Sequence, residues 1–272
     1  MLRLAVRVRR EQAELVLAEL LELAPSGVEE TEPTPGTVEY AVYGPPGELP
    51  ALPALEAAAG GALVGVSTTE IADDWSERWR SFHRPLVLDG RLTVRPPWEP
   101  PGDTPLDVVI DPGQAFGTGA HATTRLCLEL MLDRGPGDGR RLVDVGCGSG
   151  VLAIVAAKLG WAPVIGLDYD PAALAATRAN SRTNQVAVQA RQFDLRSEQV
   201  PDGRLVVANV LAGPLRAWAA TQVRFAPELI LSGLLDHEAD AVAAAFTARG
   251  LVQADRRQHG EWAALRLTAP CG

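Results

Sequence analysis

Hydrophobic positions recur with two different spacings along the chain, and together these spacings predict the order of its helices and strands. In the first 72 residues, alternation predicts strands over 2–8, 27–32, 37–43 and 63–71, whereas a helical period predicts helices over 11–24 and 49–59. The resulting order is β-α-β-β-α-β. That order predicts a small α+β domain of the ferredoxin-like type at residues 1–72, an architecture that implies no particular function.

From residue 106 onward, short apolar runs alternate with helical segments. A helix over 123–132 is followed by predicted strands over 142–145, 164–167, 187–193, 205–210 and 229–232. Two further runs, 251–257 and 262–268, are separated by only four residues, so we expect an antiparallel hairpin. The fold class predicted for 106–272 is therefore α/β, a Rossmann-like core of seven strands. Residues 73–105, with Trp75, Trp79, Trp98 and five closely spaced prolines, are interpreted as a linker.

Composition narrows the class of protein. With 47% hydrophobic and 22% charged residues, the chain can bury a large core and is not disordered. No apolar run is long enough to span a membrane, and Glu11, Glu14 and Glu19 interrupt the first hydrophobic segment, unlike a secretory signal. The three cysteines have no metal-ligand spacing and are expected to be reduced thiols. We therefore expect a cytoplasmic protein without a metal site.

The net charge of −9 is concentrated in the first 72 residues, which hold four arginines and eleven glutamates, a net charge of −7. An acidic module disfavours direct binding to nucleic acid and favours a basic partner. A solvated acidic surface without a partner is the alternative.

A glycine-rich turn follows the predicted strand at 142–145. Gly146, Gly148 and Gly150 form G-x-G-x-G, and Val151 stands where a dinucleotide-binding loop has its last glycine. This spacing resembles the S-adenosylmethionine loop of Rossmann-like methyltransferases. Asp168 ends the next strand, where a carboxylate can accept hydrogen bonds from both ribose hydroxyls. Asp144 either orients the loop or meets the amino group of the cofactor, and a glycine turn without a ligand is the alternative.

Further motifs extend this resemblance over essentially the whole chain, and together they resemble the PrmA family of ribosomal protein methyltransferases. They are the block at 111–124 with Phe-Gly-Thr-Gly-x-His-x-Thr-Thr, the segment 168–171, Asn180 and Asn184, the segment 208–215, and Gly260-Glu261-Trp262. Ala120 and Ala122 depart from the Thr and Pro frequent in that family. The resemblance implies S-adenosylmethionine-dependent methylation of lysine side chains and the N-terminal amine of one basic large-subunit ribosomal protein.

Site roles follow from the motifs and the resemblance combined. Asn209, at the end of the fourth core strand, is expected to accept a hydrogen bond from the attacking amine and is the predicted catalytic residue. Related amine methyltransferases continue with Pro-Pro and an aromatic, whereas this chain has Val210-Leu211-Ala212. The expected cofactor-binding residues are Phe116, Gly117, Thr124, Asp144, Gly146, Gly148, Asp168, Asp194 and Asn209.

Each of these roles has a plainer alternative. Asn209 is also a common turn residue at a strand end, and Asp194 could be a helix cap for the following segment rather than meet the adenine amine. The block before Thr124 could be a connector capped into the next helix by Thr123 or Thr124, and the role of His121 is open. For the whole chain, the alternatives are a methyltransferase acting on another protein lysine or a small molecule, or a non-catalytic Rossmann-like adaptor. We expect a monomer.

Overall fold

The computed structural model describes residues 2–13, 16–17, 29–34, 36–44, 63–70, 84–112 and 121–270. The chain divides into two compact units, Met1–Phe82 and His83–Gly272.

The N-terminal unit contains a four-stranded antiparallel sheet with the order β2-β3-β1-β4. Its strands are β1 (Leu2–Arg9), β2 (Glu29–Thr34), β3 (Thr37–Gly44) and β4 (Leu63–Glu70). All four predicted strands are confirmed within about two residues, and their spatial order is that of a ferredoxin-like sheet. A short 3-10 helix at Arg10–Gln12 follows β1. Most of the predicted helix 11–24 and all of helix 49–59 lie outside the described residues.

Alternation along β1 explains why this sheet has a buried face and a charged face. Val6 and Val8 pack with Tyr40 of β3 in a small core, and the Tyr40 hydroxyl donates to the carbonyl of Ala13 at 3.0 Å. On the other face, Arg3 and Arg7 both bind Glu39, with N–O distances of 2.6 and 2.7 Å. These arginines hold the pKa of Glu39 below its usual value despite its partial burial.

The second unit begins with a three-stranded sheet that corrects the predicted linker over 73–105. Its strands are β5 (Leu86–Leu88), β6 (Leu92–Arg95) and β7 (Leu106–Val109), with β5 antiparallel and β7 parallel to β6. Buried Leu88, Leu92 and Val94 belong to the same hydrophobic core as Val108 and the following helices. Residues 84–105 are therefore part of the larger unit. For these residues the prediction of a linker is wrong.

A seven-stranded sheet with the order β10-β9-β8-β11-β12-β14-β13 forms the centre of the unit. The strands are β8 (Leu142–Val145), β9 (Val164–Asp168), β10 (Val188–Gln192), β11 (Leu205–Asn209), β12 (Glu228–Leu235), β13 (Val252–His259) and β14 (Trp262–Thr268). The first five are parallel, and β14 pairs antiparallel with both β12 and β13. The predicted Rossmann-like core and its closing hairpin are confirmed.

Helices cover both faces of this sheet, as alternating burial along the strands requires. Leu205 and Val207 of β11 face one core and Val206 and Ala208 face the other. The helices are α1 (Ala122–Arg134), α2 (Val151–Lys158), α3 (Pro171–Thr183), α4 (Ala212–Thr221) and α5 (Asp236–Thr247). Buried residues of α1 and α2 belong to the first core, and those of α4 and α5 to the second. Over the described residues, no helix has the length and apolar character needed to cross a membrane.

Candidate active site

The strand order places the candidate site at the carboxyl ends of β8 and β11. The sheet runs outward from this pair in both directions, through β9 on one side and β12 on the other. Ligands of open α/β sheets bind in the crevice at such a switch point. The glycine loop follows β8 and Asn209 ends β11, so the two strongest motifs of the sequence are neighbours here.

The glycine loop turns sharply because its three glycines adopt backbone conformations that other residues rarely reach. Gly146, Gly148 and Gly150 have φ values of +73°, +51° and +85°. A Cβ on Gly146 would also lie only 2.6 Å from Cγ1 of Val210. Glycine is therefore needed at 146 both for the turn and for close approach to the segment after β11.

Asp168 lies at the end of β9 with its carboxylate facing the loop. One oxygen accepts the Gly148 N–H at 2.9 Å and the other accepts the Asp170 N–H at 3.0 Å. The residue is 8% exposed. Burial raises the pKa of Asp168, and these backbone donors oppose that shift. Each oxygen retains acceptor capacity, so the predicted ribose contact is compatible with the geometry.

Asp170 caps α3, which begins at Pro171. The Asp170 carboxylate accepts the N–H of Ala172 at 2.8 Å.

Asp144 is a charged residue on β8, all four residues of which are buried. One oxygen accepts the Ala153 N–H at 3.1 Å, at the start of α2, and the other has no hydrogen-bond partner among the described residues. Burial raises the pKa of Asp144 to about 7. The bond to Ala153 supports the loop-orienting role among the two that the sequence left open.

Two backbone N–H groups in the first turn of α2 already have hydrogen-bond acceptors within the protein. In addition to the Ala153 bond, the Val151 N–H donates to Ser149 Oγ at 3.4 Å. A pyrophosphate bound to a dinucleotide loop would use such amide groups. The site therefore fits a nucleotide-type cofactor without phosphates better than a dinucleotide.

Asn209 and the adjacent Val210 each make a hydrogen bond to a different part of the chain. Its Nδ2 donates to Thr124 Oγ1, on the first turn of α1, at 3.3 Å. The Val210 N–H donates to the carbonyl of Ser232 at 3.1 Å. Gly233 has a φ of +84°, and a Cβ there would lie 2.5 Å from the Val210 carbonyl oxygen. The pairing of β12 with β14 shifts register between Leu231 and Leu234, so a bulge supports the chain after Asn209.

Two asparagines of α3 connect the glycine loop to the end of β7, a role that spacing alone did not suggest. Asn180 donates to the Ser149 carbonyl at 2.9 Å and accepts the Asp111 N–H at 3.1 Å. Asn184 accepts the Val109 N–H at 2.9 Å and donates to the Val109 carbonyl at 2.6 Å. Both side chains are buried. Their spacing of four residues on one helix face is the signal that could have paired them.

The remaining predicted residues have different outcomes. Asp194 accepts the Arg196 N–H at 2.9 Å and pairs with its guanidinium at 3.1 Å, but a turn rather than a helix follows it, so the helix-cap alternative is not confirmed. These bonds lower the pKa of Asp194, and its contact with adenine stays a prediction. His121, rather than Thr123 or Thr124, caps α1 by accepting the Thr123 N–H, so capping by either threonine is wrong. Phe116 and Gly117 lie outside the described residues.

The buried Asp144 carboxyl should make stability depend on pH in a specific direction. Because its folded-state pKa of about 7 lies above the reference value of 3.8, the folded protein retains a proton that the unfolded chain releases. The free energy of unfolding should therefore fall as the pH rises through this window. The free energy of unfolding of Asp144→Asn minus that of wild type should rise by roughly 3 kcal/mol between about pH 4.5 and pH 7.5, measured by urea unfolding.

In Asp144→Asn the amide oxygen can still accept the Ala153 N–H, but the side chain no longer ionises. Any change in stability caused by the amide itself should therefore be the same at every pH. A stability difference that does not change with pH would contradict the shifted carboxyl.

Comparison with known proteins agrees with this geometry. The family model described as ribosomal protein L11 methyltransferase (PrmA) matches residues 54–270. Ribosomal protein L11 methyltransferase of Burkholderia lata is 37% identical over 97% of both chains, and that of Cupriavidus pinatubonensis is 39% identical over 80% of this chain and 76% of the relative. A crystal structure of ribosomal protein L11 methylase from Lactobacillus delbrueckii subsp. bulgaricus aligns with a TM-score of 0.61 and 25% identity, covering 69% of this chain and 99% of that chain. The chain belongs to the ribosomal protein L11 methyltransferase family.

Proposed function

We propose that this protein transfers methyl groups from S-adenosylmethionine to amines of a basic large-subunit ribosomal protein, the equivalent of L11, on lysine side chains and the N-terminus. One observation carries the proposal: the glycine loop, Asp168 and Asn209 meet at one edge of the sheet in a chain of this family. The substrate follows the names of the relatives. We expect a monomer that acts in the cytoplasm, where ribosomal proteins are made.

The residues present fit this cofactor chemically. S-adenosylmethionine has no phosphate, and the amide groups at the start of α2 are already bonded to Asp144 and Ser149. It carries a positive charge, which the carboxylate of Asp168 and, when ionised, that of Asp144 would attract. Gly146 and Gly148 would offer backbone to the cofactor, Asp168 would hold the ribose hydroxyls and Asp194 would meet the adenine amine. When bound, the cofactor supplies an electrophilic methyl group.

Asn209 would act on the nucleophile. Its carbonyl oxygen is suited to accept a hydrogen bond from a neutral amine, which leaves the nitrogen lone pair free and restricts its direction. A strong general base is then unnecessary, because partial desolvation lowers the pKa of an entering lysine and favours its neutral form.

The function is tested by mass spectrometry of the reaction product. Purified protein, S-adenosylmethionine and unmethylated L11 should yield L11 heavier by whole methyl increments, with the added groups on lysines or the N-terminal amine. If L11 stays unmodified while another protein or a small molecule accepts the methyl group, the enzyme class stands and the substrate assignment fails. Absence of cofactor binding in calorimetry at millimolar concentration would support the adaptor alternative.

Replacing the proposed ribose ligand should weaken cofactor binding. In Asp168→Asn one acceptor is replaced by a donor, and the loss of a charge-assisted hydrogen bond costs about 2 kcal/mol, or roughly 30-fold in Kd measured by calorimetry. The matched control is Asp170→Asn, which removes an equal charge two residues away and still caps α3. Equal weakening in both variants would mean that charge alone, rather than a contact with ribose, explains the effect.

We also propose that the acidic N-terminal unit attracts the basic substrate. Glu30 and Glu32 are both exposed on the edge strand β2. Reversing both to Lys should raise the KM for L11 roughly fivefold at low salt and reduce the salt dependence of association. Turnover at saturating L11 should be unchanged.

The control variant reverses Asp202 and Asp240, exposed acids of the other unit, and so makes the same change in net charge. If both variants raise KM equally, the general charge of the protein matters and the N-terminal unit has no special role.

A further inference from the structure

The Asp144 carboxyl is buried without a compensating positive charge. The residue is 0% exposed, one oxygen accepts the Ala153 N–H at 3.1 Å, and the other has no hydrogen-bond partner among the described residues. No basic group of those residues acts on it. An ionised carboxylate in this position would be a buried charge that only one hydrogen bond offsets, and such a charge costs far more free energy than the neutral acid.

The titratable groups that face Asp144 add no positive charge. They are Asp168 on β9, Cys147 in the glycine loop and Cys127 on α1, which are a second acid and two thiols. Strand β11 carries no titratable residue, and the only one on α2, Lys158, is the last residue of that helix. Burial is the largest cause that raises the pKa of Asp144 to about 7, and the charge of Asp168 acts in the same direction.

We propose that Asp144 is neutral in the free protein and releases its proton to solvent when S-adenosylmethionine binds beside the glycine loop. This inference rests on the proposed function and adds the proton that the protein gives up on binding. The cofactor brings a net positive charge into the crevice. Because a proton leaves Asp144 as this charge arrives, the binding site does not accumulate positive charge, and the cofactor gains a buried counter-ion.

The position of Asp144 makes this exchange possible. It precedes Gly146 by two residues on β8, and its partner Ala153 lies in the first turn of α2, so the carboxyl lies between the strand and the helix that flank the loop. Opposite charges attract strongly across a low-dielectric interior, so a cation in the crevice favours the ionised carboxyl even without direct contact. The bond from Ala153, which also favours the ionised form, is already in place.

Isothermal titration calorimetry at about pH 6 tests the exchange by comparing buffers with different ionisation enthalpies. At this pH the α-amino group of the cofactor is almost fully protonated and contributes few protons. Wild-type protein should release roughly 0.9 proton per cofactor bound, because an acid with a pKa of about 7 is about nine-tenths protonated at pH 6. The cofactor Kd should therefore fall roughly fivefold from pH 6 to pH 7.

Asp144→Asn assigns the released proton to this residue. The amide can accept the Ala153 N–H but cannot ionise, so proton release should fall below about 0.3 and the Kd should change little between pH 6 and pH 7. Asp170→Asn is the matched control, because it removes an acid that caps α3, and it should release as many protons as wild type. If Asp144→Asn does not fold, Asp144→Ser replaces it, since its hydroxyl also accepts without ionising.

Two results would overturn the inference and leave the proposed function intact. One is cofactor binding by wild type with no dependence on the buffer. The other is proton release that persists in Asp144→Asn and disappears in Asp168→Asn, which would make Asp168 the source. If wild type binds no cofactor in any buffer, the proposed function fails and the inference fails with it.

Discussion

The site depends on the close packing of three chain segments around Val210. Cγ1 of Val210 would lie only 2.6 Å from a Cβ on Gly146. The carbonyl oxygen of Val210 would lie only 2.5 Å from a Cβ on Gly233. The positions of three segments therefore depend on one another: the loop after β8, the turn after β11 and the bulge in β12. Since Asn209 directly precedes Val210, this packing brings the backbone of Asn209 close to the glycine loop.

Burial of two carboxylates beside that packing costs free energy. Removal from water is the largest cause of the raised pKa of both Asp144 and Asp168. Backbone N–H donors offset part of this cost, but Asp144 retains an oxygen with no partner among the described residues. A site with this charge is stabilised by a bound cation, which is the physical reason that it suits a positively charged cofactor.

Sequence reasoning predicted the parts of the fold that depend on local patterns, and it failed where contacts between distant residues decide. The core strands, the closing hairpin and the ferredoxin-like sheet follow from hydrophobic period and turn spacing. Strands β5 and β6 were missed because they are only three and four residues long and adjoin a proline-rich stretch that is typical of a linker. Asp168 and Asn209 could be located from their strand ends, whereas the capping by His121 and the bond from Asn209 to Thr124 depend on side-chain orientation.

Three segments that carry the family resemblance, those with Thr124, Asn209 and Trp262, are connected through side chains near the start of α1. His121 caps α1 and its ring packs 4.9 Å from Trp262 of the closing hairpin, so one helix start is tied to the far end of the chain. Three residues later, Thr124 reaches Asn209. The start of α1 is thus connected through side chains to β11 and β14, which are distant from it in sequence. A change at this helix start would therefore shift the amide of Asn209, and this coupling explains physically why such separate motifs belong to one site.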